Sequence, residues 1–252
     1  QSKGRPQQAP GRNNQPSNGN GQRKASRGAA IRAQKRVNED ATRLINSVLA
    51  TPKSAERPRA NKIDDSPRLK VIGLGGMDGG GSKNMMLVEY QNDAIVIDCG
   101  NDLGVDLPGI NYGICDVSYL EQIRSKLRGY VITHGHLDHI GGLPHIVPAF
   151  PAPIYGSRFS IGRVQEIFEN FGLPLPEGFE LKTVIMNEDT HEKLKLGEFF
   201  VELVRVTHSI PGSTIVVVDT PVGRIVNTGD FRLDPDPVDH ERTDIERLNQ
   251  VG

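Results

Sequence analysis

The chain contains no tryptophan and only two cysteines, and aromatic residues make up 5% of its 252 positions. The two cysteines, Cys99 and Cys115, fit neither a metal-binding nor a disulfide spacing. A cysteine-based zinc cluster and a disulfide framework are therefore not expected, and two reduced thiols of a cytosolic protein are. No run of about 18 apolar residues occurs, so no transmembrane helix is predicted, and no signal peptide is read at the start of the sequence. Residues 1–28 lack any apolar side chain larger than alanine or proline and are rich in Gln, Asn, Gly, Pro, Ser and Arg. Such a segment cannot bury enough surface to offset its ordering entropy, and a disordered tail is expected there.

What is present is unevenly placed. The formal net charge is −1, but residues 1–70 hold 16 of the 30 Lys+Arg and 5 of the 31 Asp+Glu, leaving 14 and 26 for residues 71–252. A basic arm of +11 thus precedes an acidic body of −12. Basic arms meet nucleic acid through counterion release, the alternative being a merely solubilising tail. The arm lacks Phe and Tyr, so it offers no stacking platform for single strands and acts, on this reading, by non-specific electrostatics. Ile31, Val37, Ala41, Leu44, Ile45, Val48 and Leu49 recur at three- and four-residue steps and predict an amphipathic helix over 29–49. Residues 50–67, with Pro52, Pro58 and Pro67, read as a linker.

A folded body is expected from residue 68 to 252, long enough for one large domain. Strands are predicted at 70–74, 85–90 and 94–99, the last two as a hairpin around Gln91-Asn92-Asp93. A helix is expected over 117–126, and a buried strand over 129–133. Helices at 140–147 and 157–171 flank a short strand at 154–155. Beyond them strands are predicted at 182–186, 193–196, 199–207, 214–219 and 224–227. Strands dominate and helices are inserted among them, which predicts an α/β (α+β) fold of two sheets flanked by helices. The glycine-rich loop 75–81 has no P-loop pattern and no well-formed dinucleotide fingerprint before a helix, so it reads as a loop bordering a site.

Chemistry concentrates where the strand 129–133 ends, in Thr133-His134-Gly135-His136-Leu137-Asp138-His139. Alternation along an extended segment puts His134 and His136 on one side. Asp138 and His139 follow at a helix start, point away from that pair on this reading, and can serve a second ion. Neutral imidazole and carboxylate suit a borderline cation such as zinc. Four titratable groups buried together without a metal would leave several desolvated groups unpaired. Two further candidates lie just past strands in glycine-bearing turns: His208, and Asp230 in Asn227-Thr228-Gly229-Asp230. Taken alone, a solvated histidine and a turn aspartate are the safer readings of these two. His145 reads as structural, and His191 and His240 as surface residues.

The motif His134-x-His136-x-Asp138-His139, followed by His208 and Asp230, resembles the metallo-β-lactamase superfamily. Gly81-Ser82-Lys83-Asn84-Met85, Asp116 through Glu121, Thr133 through Pro144 and Thr228 through Pro235 bring the resemblance closer to its ribonuclease J family. The resemblance covers nearly all of residues 70–252. It implies an αββα four-layer sandwich and a dinuclear zinc site. His134, His136 and His208 would bind one Zn2+, Asp138 and His139 the second, and Asp230 would bridge them. Asp98 would support the metal loop, the alternative being a plain turn residue. It further implies RNA as partner, a cytoplasmic homo-oligomeric enzyme, and hydrolysis by a two-metal hydroxide mechanism, in which paired ions clamp the attacking and leaving oxygens of a phosphodiester. Asp138, His139 and Asp230 are then the catalytic set, and 5′→3′ exonuclease and endonuclease activity in RNA processing is expected.

In that family the second zinc takes a further histidine from beyond an inserted beta-CASP domain that holds RNA. Gly252 falls about where that insertion would open, so the sequence is expected to be the N-terminal part of a longer enzyme and nearly inactive alone. Two other readings remain. A small-molecule hydrolase of the glyoxalase-II or lactonase kind has no need of a +11 arm. An RNA-binding module with an incomplete metal site would bind RNA without cleaving it.

Overall fold

The computed structural model describes residues 67–77, 79–102, 113–172 and 174–252, within one compact unit running from Asp65 to Gly252. The tail expected over 1–28, the helix over 29–49 and all but the last residue of the linker lie outside the described residues. Strands β1 (Leu69–Gly75), β2 (Met85–Tyr90) and β3 (Asp93–Ile97) form an antiparallel meander, in which the hairpin turn falls on Gln91 and Asn92. Strands β4 (Asn101–Asp102) and β5 (Gly113–Ile114) pair as a small ribbon. Their two-residue length is too short to carry any periodicity, and the sequence did not announce them. Helix α1 (Ser118–Ile123) and a 3-10 turn (Arg124–Lys126) cross over to β6 (Leu127–Val131), which lies parallel to β3 with Ile97 opposite Val131. Strands β7 (Ile154–Gly156) and β8 (Thr183–Ile185) continue in parallel and complete a six-stranded sheet, β1-β2-β3-β6-β7-β8. A second sheet, β12-β11-β10-β9, is antiparallel and comprises β9 (Leu194–Leu196), β10 (Phe199–Arg205), β11 (Thr214–Thr220) and β12 (Gly223–Asn227).

The period-2 alternation of the strands explains the layering. Met85 and Leu87 of β2, with Ala94 and Val96 of β3, pack under Leu120, Ile140 and Leu143 and under Ile161 and Val164 of α4 (Arg158–Glu169) in the helical layer. The neighbouring positions Val88, Ile95, Ile97 and Val131 turn the other way and meet Phe199, Val201, Leu203, Val216 and Val218 of the second sheet. Val204, Val206, Ile215 and Val217 face outward again and are covered by Val251. Three apolar interfaces thus separate four layers in the order αββα. Each fully buried aliphatic side chain contributes about 1.5–3 kcal/mol, so a one-residue slip of a central strand, which would exchange its faces, is strongly disfavoured.

The outermost layer, α5 (Ile245–Val251), was not foreseen. Its signals were local: Asp244 accepts from the Arg247 backbone N–H at 2.8 Å as an N-cap, and Leu248 and Val251 carry the apolar stripe at a three-residue step. The Arg247 guanidinium reaches both oxygens of the fully buried Glu202, at 2.6 and 2.8 Å. This pairing explains how a charged residue occupies the middle of β10. No described helix is long and apolar enough to cross a membrane.

Candidate metal centre

The helix expected over 140–147 is two single turns, α2 (Leu137–Ile140) and α3 (Leu143–Ile146), and the reason places the site. A continuous helix would give the Asp138 carbonyl to the Gly142 N–H. That carbonyl instead accepts from the Asn84 N–H at 2.9 Å and from Asn84 Nδ2 at 3.2 Å, while Gly142 donates to Cys99 O at 2.8 Å. The Cys99 N–H in turn binds His139 O at 2.7 Å. The loop after β3 is therefore sewn to the turn that carries Asp138 and His139. Gly100 is required in it, because a Cβ there would fall 1.6 Å from Asp138 O.

All the candidate residues sit past the C-terminal ends of strands that run the same way within each sheet: Asp98 after β3, His134 after β6, His208 after β10 and Asp230 after β12. The two sheets are joined at this point, where Thr214 donates its N–H and its hydroxyl to Thr133 O, both at 2.9 Å. Strand ends on a rigid sheet deliver side chains to a common point with little freedom. The turn before Asp230 closes through Gly229, whose φ of +51° and tight approach to Thr133 suit only glycine.

His134 Nε2 lies 3.1 Å from His136 Nδ1, which lies 3.2 Å from His208 Nε2. These three atoms form one convergent donor group; His134, His139 and Asp230 form a second. His134 belongs to both. The expectation that His139 turns away from the first histidine pair is therefore corrected: its ring lies 4.0 Å from that of His134. Asp138 stands beside this second group, its Oδ2 3.5 Å from His139 Nε2, while Asp230 lies 3.6 Å from His139 and 3.8 Å from His208.

Asp98 organises both halves. It holds a left-handed backbone conformation, φ 59°, and is buried. Its Oδ1 accepts the Thr133 N–H at 2.8 Å, and its Oδ2 accepts the Thr133 hydroxyl and His139 Nδ1, each at 2.8 Å. Since the Thr133 hydroxyl donates to Asp98, its oxygen accepts from His134 Nδ1 at 3.0 Å. Both imidazoles thereby carry their proton on Nδ1 and present a lone pair at Nε2. Thr133 and Asn84 are thus structural members of the site to which the sequence reading gave no role, although Thr133 opens the histidine motif.

Burial and the neighbouring rings of His139, His208 and His136 push His134 down to about 2. Burial also lowers His208, where the opposing pull of Asp230 is outweighed. At His139 burial works the same way, but the charge and hydrogen bond of Asp98, with Asp138 and Asp230 behind them, raise it. The donor set fits a divalent cation: imidazole nitrogens with lone pairs forced inward, and carboxylate oxygens on the open side. Asp230 is 48% exposed at the rim, and with Asn84, Asp98 and His139 it lines a cleft of about 320 Å³ whose wall includes Gly75, Gly76 and Met77 of the glycine-rich segment. The other histidines stand apart. His145 packs edge-on against Phe171. His191 is not a free surface residue but sits between Glu202 and Asp244, at 3.6 and 3.4 Å. His240 is exposed. Cys99 and Cys115 are free and buried.

A family model described as metallo-beta-lactamase superfamily matches residues 78–246. The chain is 39% identical to Ribonuclease J of Thermus thermophilus over 191 residues, 73% of this chain and 32% of that protein. It is 36% identical to Ribonuclease J of Synechocystis sp. over 194 residues, 76% of this chain and 29% of that protein. It spans about a third of the length of these curated relatives. Among solved structures it is similar in fold to a protein of unknown function from Enterococcus faecalis V583, with a TM-score of 0.51, 21% identity, and coverage of 66% of this chain and 44% of that one.

Proposed function

The chain belongs to the metallo-beta-lactamase superfamily, and from that premise we propose that it carries the metal centre of a zinc-dependent ribonuclease that hydrolyses RNA phosphodiester bonds as 5′→3′ exonuclease and endonuclease. The observation that carries this reading is the pair of donor groups that share His134, one with His136 and His208 and the other with His139 and Asp230, with Asp138 beside the second, at an open cleft lined by His139 and Asp230, in a chain 39% identical to a protein named Ribonuclease J. Bound there, zinc supplies an acidified water near neutral pH and positive charge against phosphoryl oxygens.

The chain's own residues do the rest. Thr133 and Asp98 hold His134 and His139 as Nε2 donors, which spares the site the cost of reorienting them when metal arrives. His136 and His208 complete the buried group. Asp230 faces both halves, with Oδ1 toward His139 and Oδ2 toward His208, and so joins them. Asp138 adds negative charge beside His139 and so favours the second cation. The Asn84 amide sits at the same place in the cleft, where its Nδ2 ties the Asp138 carbonyl and carboxylate to His139 Nε2 and so fixes the turn that carries both residues.

The test is single-turnover cleavage of a 5′-labelled RNA by the intact protein, with and without chelator, beside a thioester and a lactone substrate. Chelator-sensitive RNA cleavage restored by zinc is expected. Hydrolysis of the small esters with RNA left intact would overturn the reading in favour of a small-molecule hydrolase, and RNA binding without cleavage would leave a binding module.

A further inference from the structure

A second cleft, of about 410 Å³, is lined by His208, which stands 3.8 Å from Asp230 of the cleft described above. The cleft residues used below are Ser209, Ile210, Pro211, Arg232, Asp234 and Val238. Arg232 has its backbone fixed and its side chain free. Its N–H donates to Thr207 O at 2.7 Å, and its carbonyl accepts from the hydroxyls of Thr207 at 2.7 Å and Thr243 at 3.2 Å. Thr207 immediately precedes His208, so Arg232 is held in register with the metal centre. Its guanidinium makes no hydrogen bond or ion pair among the described residues, although most cations of this acidic body are paired, and it is the only Lys or Arg lining the cleft.

We propose that this cleft takes one ribonucleotide of the RNA strand, with its phosphate on the Arg232 guanidinium and its 2′-hydroxyl on the Asp234 carboxylate; the assignment rests on the ribonuclease reading above. The lining chemistry selects this ligand. One free cation suits one phosphodiester, since a guanidinium presents a planar fork to phosphate oxygens. The carboxylates of Asp234 and Asp239 in the same cleft exclude a ligand carrying several anionic groups. They suit neutral hydroxyl donors instead. Asp234 commits Oδ1 to the Asp236 N–H at 2.9 Å and has its other oxygen left to accept. Ile210, Pro211 and Val238, the last 99% exposed, give an apolar wall for the sugar and base. The metal centre borders both clefts, through His139 and Asp230 in one and His208 in the other, so a strand running past it would put one phosphate at the donors of Asp230 and His139 and a neighbouring one at Arg232. The 2′-hydroxyl is what separates RNA from DNA at such a site.

The experiment measures anisotropy of a fluorescein-labelled oligoribonucleotide, and of the oligodeoxyribonucleotide of the same sequence, with the chelator-treated intact protein over a salt series. Arg232→Gln is expected to weaken RNA binding roughly tenfold and to reduce the salt slope by about one. Arg232→Lys should restore part of the affinity. Asp234→Asn should narrow the preference for RNA over DNA. Zinc content equal to wild type after reloading shows that the variants fold. Wild-type affinity and salt slope in Arg232→Gln, or an unchanged RNA-to-DNA ratio in Asp234→Asn, would overturn the subsite alone. A wild type that binds no RNA would instead remove the ribonuclease reading on which it rests.

Discussion

His134 and His139 have rings 4.0 Å apart, and both are buried and held by Asp98, His139 directly and His134 through the Thr133 hydroxyl, yet in the metal-free protein their proton affinities are driven in opposite directions. Around His134 the neighbours are imidazoles, and burial together with their mutual repulsion keeps the ring neutral. Around His139 three carboxylates outweigh the same burial. The half of the centre that holds His134 and His208 is therefore biased toward neutral imidazole, and the half that holds His139 toward the charged ring. Residue type alone does not set the character of a ligand; the charge of what converges on it does.

The largest expected effect comes from removing the residue that both halves share. His134→Ala should lose tightly bound metal from the whole centre, beyond the roughly 10–100-fold loss typical of groups that only orient ligands. Elemental analysis against His136→Ala checks this, because His136 belongs to one group only. Equal residual metal in the two variants would break the picture of a shared histidine. Asp98→Asn comes next, with metal affinity expected to fall by about 10–100-fold, as read by competition with a chromogenic chelator. An effect confined to one of two bound equivalents would show that Asp98 serves His139 and not His134.

The opposite shifts also predict a pH profile for the metal-free protein. His134 is depressed, so between its folded value of about 2 and the ordinary 6.5 the unfolded chain binds the proton and the folded one does not. Stability should therefore fall as pH drops below 6.5, by up to about 1.4 kcal/mol per pH unit for this one group, and His208 acts in the same sense. His139 is raised, so its contribution is fully present below 6.5 and is lost as pH rises through its folded value. Melting temperatures of chelator-stripped protein should pass through a maximum near or above neutrality and decline toward pH 5. A monotonic rise toward pH 5 would mean that the carboxylate half governs the whole centre. The smallest effect is expected from Thr133→Val, which keeps the shape, deletes the hydroxyl between Asp98 and His134, and should cost about 1 kcal/mol in denaturant unfolding of the stripped protein.

Sequence alone determined the strands of both sheets, because short apolar runs bounded by turn residues mark them, from Met85–Tyr90 to Gly223–Asn227. It also singled out His134, His136, Asp138 and His139, because a cluster of histidines and an aspartate at a strand end is local information, whereas His208 and Asp230 stood out only through the family resemblance. It did not determine α5, whose Asp244 cap and short apolar stripe compete with a polar, proline-bearing loop before it, nor the break between α2 and α3, which exists because the carbonyls of Asp138 and His139 are taken by Asn84 and Cys99. Only the tertiary structure decided that His139 packs against His134, that Asp98 and Thr133 fix the proton on Nδ1 of both rings, and that Arg232 stands free beside His208. The last two depend on residues brought together from different strands, and the electrostatics that distinguish the two halves arise only once those side chains share one desolvated point.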